Sequence, residues 1–207
     1  MLSAEASSLH PPPLHILILA AGGSTRMRGP DKLLEPVDGQ PLLRQLAGRA
    51  VATGLPVTVA LPPDRPLRNA ALLQLSLDRL TVRDAQTGMA ASLCAGLSSL
   101  PDAVAVMLLL ADLPDLTTQD LCAMAQAHGR MPDQILRACA VDGTPGHPVI
   151  FPPWVRGDLM ALSGDEGARR VLQAHASHVR LIALPDRHAT TDLDTPEAWA
   201  AWRSGRE

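Results

Sequence analysis

VAVMLLLA, residues 104–111, is the stretch from which the fold can be read. Its apolar residues follow one another without the alternation of a strand that keeps one face in water. Such a run suits the centre of a parallel sheet, covered on both faces. Asp112 closes it, and Pro114 prevents simple continuation. Residues 14–20 form a second short apolar run, bounded by Gly22-Gly23. Segments 56–61, 79–83, 135–140, 148–151 and 179–184 also read as strands. Between them, apolar positions 42, 43, 46, 47, 50 and 51 recur at helical spacing, as do 89, 93, 97 and 100, and residues 66–76 also look helical. Thr117-Thr118-Gln119-Asp120 has the pattern of a capping box opening a helix to about residue 128. Ser163-Gly164-Asp165-Glu166 repeats the pattern before a helix to about residue 175. Thr195-Pro196-Glu197 puts proline at the first position of a last helix.

Strands alternating with helices imply an α/β fold around a mostly parallel sheet. Right-handed crossovers put the strand-to-helix loops on one edge, where ligands bind outside the carboxyl ends of the strands. Residues 14–207 are expected to form one domain, preceded by a flexible, proline-rich segment over residues 1–13. With 46% hydrophobic and 19% charged residues, the composition is that of a globular chain. A net charge of -3 argues against a nucleic-acid partner, and three Trp and one Phe are too few for a base-stacking platform. Cys94, Cys122 and Cys139 show no zinc spacing and read as reduced thiols of a cytoplasmic protein. No uncharged apolar run reaches the ~20 residues of a membrane helix.

The residues that could carry chemistry collect after the apolar runs. The first loop runs from Ala20 and Ala21 through Gly22, Gly23 and Arg26 to Lys32. Its glycines let backbone N–H groups approach a phosphate, and Arg26 and Lys32 can balance a triphosphate. The spacing is neither that of a Walker loop nor GxGxxG. Among 18 cationic residues, Lys32 is the one lysine. It stands either by drift or because a compact ammonium fits where a planar guanidinium does not. Asp112 either holds Mg²⁺ against substrate phosphates or simply ends its strand. Asp115, beyond Pro114, reads as a surface or capping residue. Asp192 and Asp194 would point to opposite faces of an extended segment, so one can face the metal while Asp194 prepares the last helix. His147, within Gly143–Phe151, reads as part of an exposed loop leading into a strand, as a generic loop residue or a substrate contact.

Taken in order, these segments resemble the MobA-like nucleotidyltransferase family, closest to its molybdenum cofactor cytidylyltransferase branch. The family's LAAGxSxRMGxxK stands as Leu19-Ala-Ala-Gly-Gly-Ser-Thr-Arg26-Met27-Arg28-Gly29-Pro-Asp-Lys32, with Arg28 inserted. Further matches are Thr87-Gly88-Met89 with Ser92-Leu93, Ala111-Asp112-Leu113-Pro114, Gly146-His147-Pro148-Val149-Ile150-Phe151, Gly164–Arg169, and Asp192-Leu-Asp194-Thr-Pro-Glu197. The resemblance implies a Rossmann-like three-layer sandwich of the nucleotide-diphospho-sugar transferase type. It implies transfer of CMP from CTP, or of a nucleotide from another NTP, to the terminal phosphate of molybdenum-molybdopterin. The products are molybdopterin cytosine dinucleotide and pyrophosphate.

By position, the resemblance assigns Gly22, Gly23, Arg26 and Lys32 to the triphosphate loop, Ala20 and Ala21 with them to nucleotide binding, and Thr87, Gly88 and Ser92 to the segment near base and ribose. It assigns Asp112, with Asp192 or Asp194, to Mg²⁺ (Mn²⁺ as the alternative), and His147 to the acceptor. The Ala20-Ala21 spelling is of the cytidylyl type; guanylyl members tend to read Ala-Gly-Gly. A guanylyltransferase, transfer to another phosphorylated acceptor, and a non-catalytic carrier serving an apo-molybdoenzyme are the competing readings.

Overall fold

The computed structural model describes residues 13–165 and 167–206. The expected flexible N-terminal segment lies, but for Pro13, outside the described residues. The chain begins with β1 (Leu14–Leu19), a hairpin of β2 (Pro36–Val37) and β3 (Gln40–Pro41), and α1 (Leu42–Val51). It continues through β4 (Val57–Leu61), α2 (Pro66–Ala71), β5 (Asp78–Thr81), α3 (Met89–Ser98) and β6 (Ala105–Leu110). Then come α4 (Thr118–Arg130), β7 (Ile135–Cys139), β8 (Pro145–Phe151), α5 (Arg156–Met160), α6 (Arg169–Ala174), β9 (Val179–Ala183) and α7 (Pro196–Ser204).

The main sheet has the order β5-β4-β1-β6-β8-β7-β9. The pairs β1–β4, β1–β6, β4–β5 and β7–β9 are parallel, whereas β8 runs antiparallel to both β6 and β7. The strand order reverses at β1, between β4 and β6, so a crevice opens beyond the ends of β1 and β6. The sheet separates two cores. Ile16, Ile18, Met107 and Leu109 pack against Leu46 of α1 and Leu121 of α4. Leu17, Leu19, Val106 and Leu108 pack on the opposite face with Leu93 of α3 and Leu159 of α5. This is the three-layer arrangement expected from an unalternating apolar run. A small third core joins Met27, Val37 and Leu42 to Leu193 and Trp199, holding α7 beside the first loop.

Local capping rules account for the starts of α4 and α7. Thr117 and Asp120 make the reciprocal capping box at α4, and the Thr195 side chain accepts from Ala198 N–H at α7. Two expectations change. The helix expected over 66–76 ends at Ala71, and the chain turns through Gln74 at φ 69°. The expected capping box at residue 163 does not start a helix, because α6 begins at Arg169 after Ala168; Glu166, its fourth position, lies outside the described residues.

Candidate active site

The loop after β1 opens onto a cleft of about 650 Å³ at the carboxyl ends of β1 and β6. Ala20, Ala21, Gly22, Gly23, Arg26 and Lys32 line one side of it. Gly88 and Ser92 line another, and Asp112, Asp192 and Asp194 a third. A Cβ built on Gly22 meets nothing within 4 Å. Packing therefore does not require glycine there; its effect is to leave the floor of the cleft bare.

Charge converges on Lys32. Its Nζ lies 2.5 Å from Asp112 Oδ2 and 2.6 Å from Asp194 Oδ1. Arg26 approaches the other Asp194 oxygen at 2.6 Å from the solvent side. Burial acts to lower the Lys32 pKa, but Asp112 and Asp194 outweigh it and hold the ammonium above the ordinary lysine value. Asp112 uses one oxygen on Lys32, while its buried Oδ1 has no hydrogen-bond partner among the described residues. An unsatisfied carboxylate oxygen beside a second carboxylate suits a divalent cation. No group of three or more His, Cys, Asp and Glu side chains placed to hold a metal occurs among the described residues. A hard ion here would thus draw its remaining ligands from phosphate and water, as Mg²⁺ commonly does.

The strand alternation that would set Asp192 and Asp194 on opposite faces does not apply here. Residues 191–194 are irregular rather than extended in a strand, and both aspartates are among the residues that line the cleft. Leu193 N–H donates to the Asp112 carbonyl at 3.4 Å, which brings Asp194 beside Asp112. Thr195 caps α7, so Asp194 is not needed for that task. Asp115, expected at the surface or in a cap, is instead half-buried and accepts from Trp202 Nε1 of α7 at 3.0 Å. The inserted Arg28 adopts φ 57° and turns outward to an ion pair with Glu197 of α7, away from the cleft lining.

Two candidates fall outside the lining of the cleft. Thr87 gives its hydroxyl to the Asp84 carbonyl at 2.7 Å and is exposed. His147 lies in strand β8 and not in an exposed loop, because the chain pairs with β7 from Pro145 onward. Its ring is largely shielded, and burial pushes its pKa below the ordinary value. Gly146 and Gly88 have packing reasons of their own. A Cβ on Gly146 would fall 1.8 Å from the Ala189 carbonyl oxygen, and one on Gly88, at φ +125°, would fall 2.2 Å from that of Gly164.

Sequence reading missed Arg68, on α2. Its side chain is fully buried and faces Asp31 at 2.7 Å. It also donates to the carbonyls of Ala20 and Gly22, which belong to the first loop. An arginine in a short helix carries no local mark of such a role.

The switch point of this doubly wound sheet, where such folds bind ligands, gathers Lys32 and Arg26 with Asp112 and Asp194, and the comparisons make the class a nucleotidyltransferase. The chain belongs to the MobA-like NTP transferase domain family, whose model matches residues 16–179. It is 30% identical over 190 residues to a probable molybdenum cofactor guanylyltransferase of Synechococcus elongatus (strain ATCC 33912 / PCC 7942 / FACHB-805), covering 89% of this chain and 95% of that one. It is also 30% identical over 123 residues to the bifunctional protein GlmU of Xanthomonas oryzae pv. oryzae (strain MAFF 311018), of whose length it spans 27%. Among solved structures, Rv0371c of Mycobacterium tuberculosis H37Rv superposes with a TM-score of 0.80 at 26% identity, over 91% of this chain and 96% of that one. A manganese complex of Rv0371c superposes with a TM-score of 0.75. A CMP:2-keto-3-deoxy-manno-octonic acid synthetase complexed with CTP shares the fold, with a TM-score of 0.73 at 15% identity.

Proposed function

We propose that this chain transfers CMP from CTP to the terminal phosphate of molybdenum-molybdopterin, releasing pyrophosphate and forming molybdopterin cytosine dinucleotide. The observation that carries the reading is the convergence of Lys32, Arg26, Asp112 and Asp194 on one cleft beside a bare glycine loop. In-line attack at an α-phosphorus needs charge neutralisation and alignment more than covalent help. Arg26 and Lys32 supply positive charge to the triphosphate and to the departing pyrophosphate. Gly22 and Gly23 allow its close approach, and Gly88 and Ser92 border the nucleoside. Mg²⁺ (or Mn²⁺), held by Asp112 with Asp194 or Asp192, would neutralise charge on the phosphate oxygens. The acceptor phosphate is already anionic, so the reaction requires no strong general base. His147, expected to face the acceptor, lies in β8 outside the cleft lining and is given no step in the transfer.

CTP is favoured by the Ala20-Ala21 spelling of the loop. GTP is the second reading, favoured by the guanylyltransferase name of the Synechococcus relative. Pyrophosphate release from each of the four NTPs, with Mg²⁺ and with or without purified molybdenum cofactor, tests both. CTP turnover that depends on the cofactor is expected. Turnover with GTP in its place would decide for the second reading, and no release with any NTP would defeat both.

A further inference from the structure

We propose that Arg68 is a positioning residue that holds the loop over residues 20–33 in the shape that accepts a triphosphate, an inference that rests on the reading of the cleft given above. A guanidinium has five N–H donors in a planar fork. Arg68 uses them against one loop. Nε donates to Asp31 Oδ2 at 2.7 Å. Nη1 donates to the carbonyls of Ala20 at 2.6 Å and Gly22 at 2.8 Å. Nη2 donates to Ser24 Oγ at 3.0 Å and Asp31 Oδ1 at 2.9 Å. The fork thus ties the start of the loop to its end, across a span that includes Arg26.

The consequence is directional. In a trans peptide the carbonyl and the following N–H point opposite ways. Drawing the Ala20 and Gly22 carbonyls to Arg68 turns the N–H groups of Ala21 and Gly23 away from it. Among the described residues, the N–H groups of Ala21, Gly22 and Gly23 find no acceptor, and these residues line the cleft. The N–H groups of Ala21 and Gly23, freed in this way, are fixed donors that an anion in the cleft can use. Asp31 completes the device from the other end. It accepts from Leu33 N–H at 3.1 Å and so shapes the turn that begins with Lys32. Burial acts to raise the Asp31 pKa, but the Arg68 hydrogen bonds and charge, with Leu33 N–H and Ser24, hold it below the usual carboxylate value. Because Asp31 neutralises Arg68, the guanidinium contributes geometry to the cleft and not net charge.

Arg68→Lys keeps the charge and loses the fork, and therefore tests position apart from electrostatics. Calorimetric titration with inorganic tripolyphosphate, CTP, GTP and CMP reads the effect, alongside hydrogen exchange of the intact chain. We expect tripolyphosphate and NTP affinity to fall roughly tenfold or more, CMP affinity to stay within about twofold, and exchange to rise in residues 20–34 but not in β6. A folded variant that binds tripolyphosphate like wild type would overturn the inference. So would equal losses for CMP and NTP with exchange rising across the sheet. Should Arg68→Lys not fold, Asp31→Asn decides in its place, expected to bring the same selective loss and overturning the inference if tripolyphosphate binding is unchanged. Wild-type protein that binds neither tripolyphosphate nor any NTP would defeat the underlying reading and this inference with it.

Discussion

Lys32 sits between two carboxylates, at 2.5 Å from Asp112 and 2.6 Å from Asp194, with little exposure to solvent. A compact ammonium with three donors fits this gap, whereas a planar fork of greater width would have to displace one partner. Lys32→Arg is therefore expected to lower kcat/KM for the NTP by roughly tenfold or more, about 1.4 kcal/mol of transition-state stabilisation. Steady-state pyrophosphate release checks it, and unchanged kinetics would return the lone lysine to drift. Asp112→Ala should reduce pyrophosphate release by about 100-fold or more, the scale of removing one preorganised electrostatic group, with an unchanged circular dichroism spectrum. Asp194 and Asp192 separate cleanly by geometry. Asp194 touches both Lys32 and Arg26, so Asp194→Asn should cost more activity than Asp192→Asn when the two are assayed together. The reverse ranking would move the second carboxylate role to Asp192. Of these residues, Lys32 and Asp112 could be singled out from sequence, one by rarity and the other by its place after the strongest strand. The preference for Asp194 could not, because it depends on the irregular path of residues 191–194 and on Thr195 taking the cap.

At the scale of elements, β1 carries a titratable group where its pattern calls for an apolar one. His15 is buried, with Nε2 2.9 Å from Thr58 Oγ1 across the β1–β4 pair. Burial lowers its pKa below the ordinary value near 6.5, and the charge of Asp78 only partly opposes this. The folded state therefore favours neutral imidazole. The stability it contributes is fully present above the unfolded value and is lost as pH falls through 6.5 toward the lowered folded value. Urea midpoints at pH 7.5 and 5.0 should fall for wild type and fall less for His15→Gln. An equal fall in both would show that the acid sensitivity arises elsewhere. Strand and helix placement was largely open to local reading, since continuous apolar runs and capping patterns act over a few residues. The shortening of α2 and the late start of α6 were not. Both involve tertiary partners: Arg44 of α1 donates to the Ala71 and Leu73 carbonyls where α2 stops, and the Gly164 carbonyl accepts from Ala90 N–H at the start of α3.

For the molecule as a whole, the site depends on a clasp between the two ends of the fold. Trp199 of α7 is 1% exposed and packs with Met27, Val37, Leu42 and Leu193 in a core separate from the two that cover the sheet. Leu193 lies between the two aspartates of the cleft, and Met27 follows Arg26. Trp199→Ala should therefore cost about 3–5 kcal/mol, the usual range for emptying a buried aromatic site. The loss should fall first on residues 190–204 and on NTP affinity, while the β1–β6 centre persists. Hydrogen exchange resolved by segment checks this, and uniform loss of protection across the chain would contradict it.

Amino-acid order carried the layered α/β plan, the loop after β1 and most of the charged residues around the cleft, because these obey short-range rules of periodicity, capping and turn formation. Which groups meet was settled by folding. Lys32 reaches residues 80 and 162 positions away in the chain, and Arg68 reaches back 37 positions to Asp31. Pairings over such distances leave no local pattern, since it is the packing of strands and helices, not neighbouring residues, that brings the charges together.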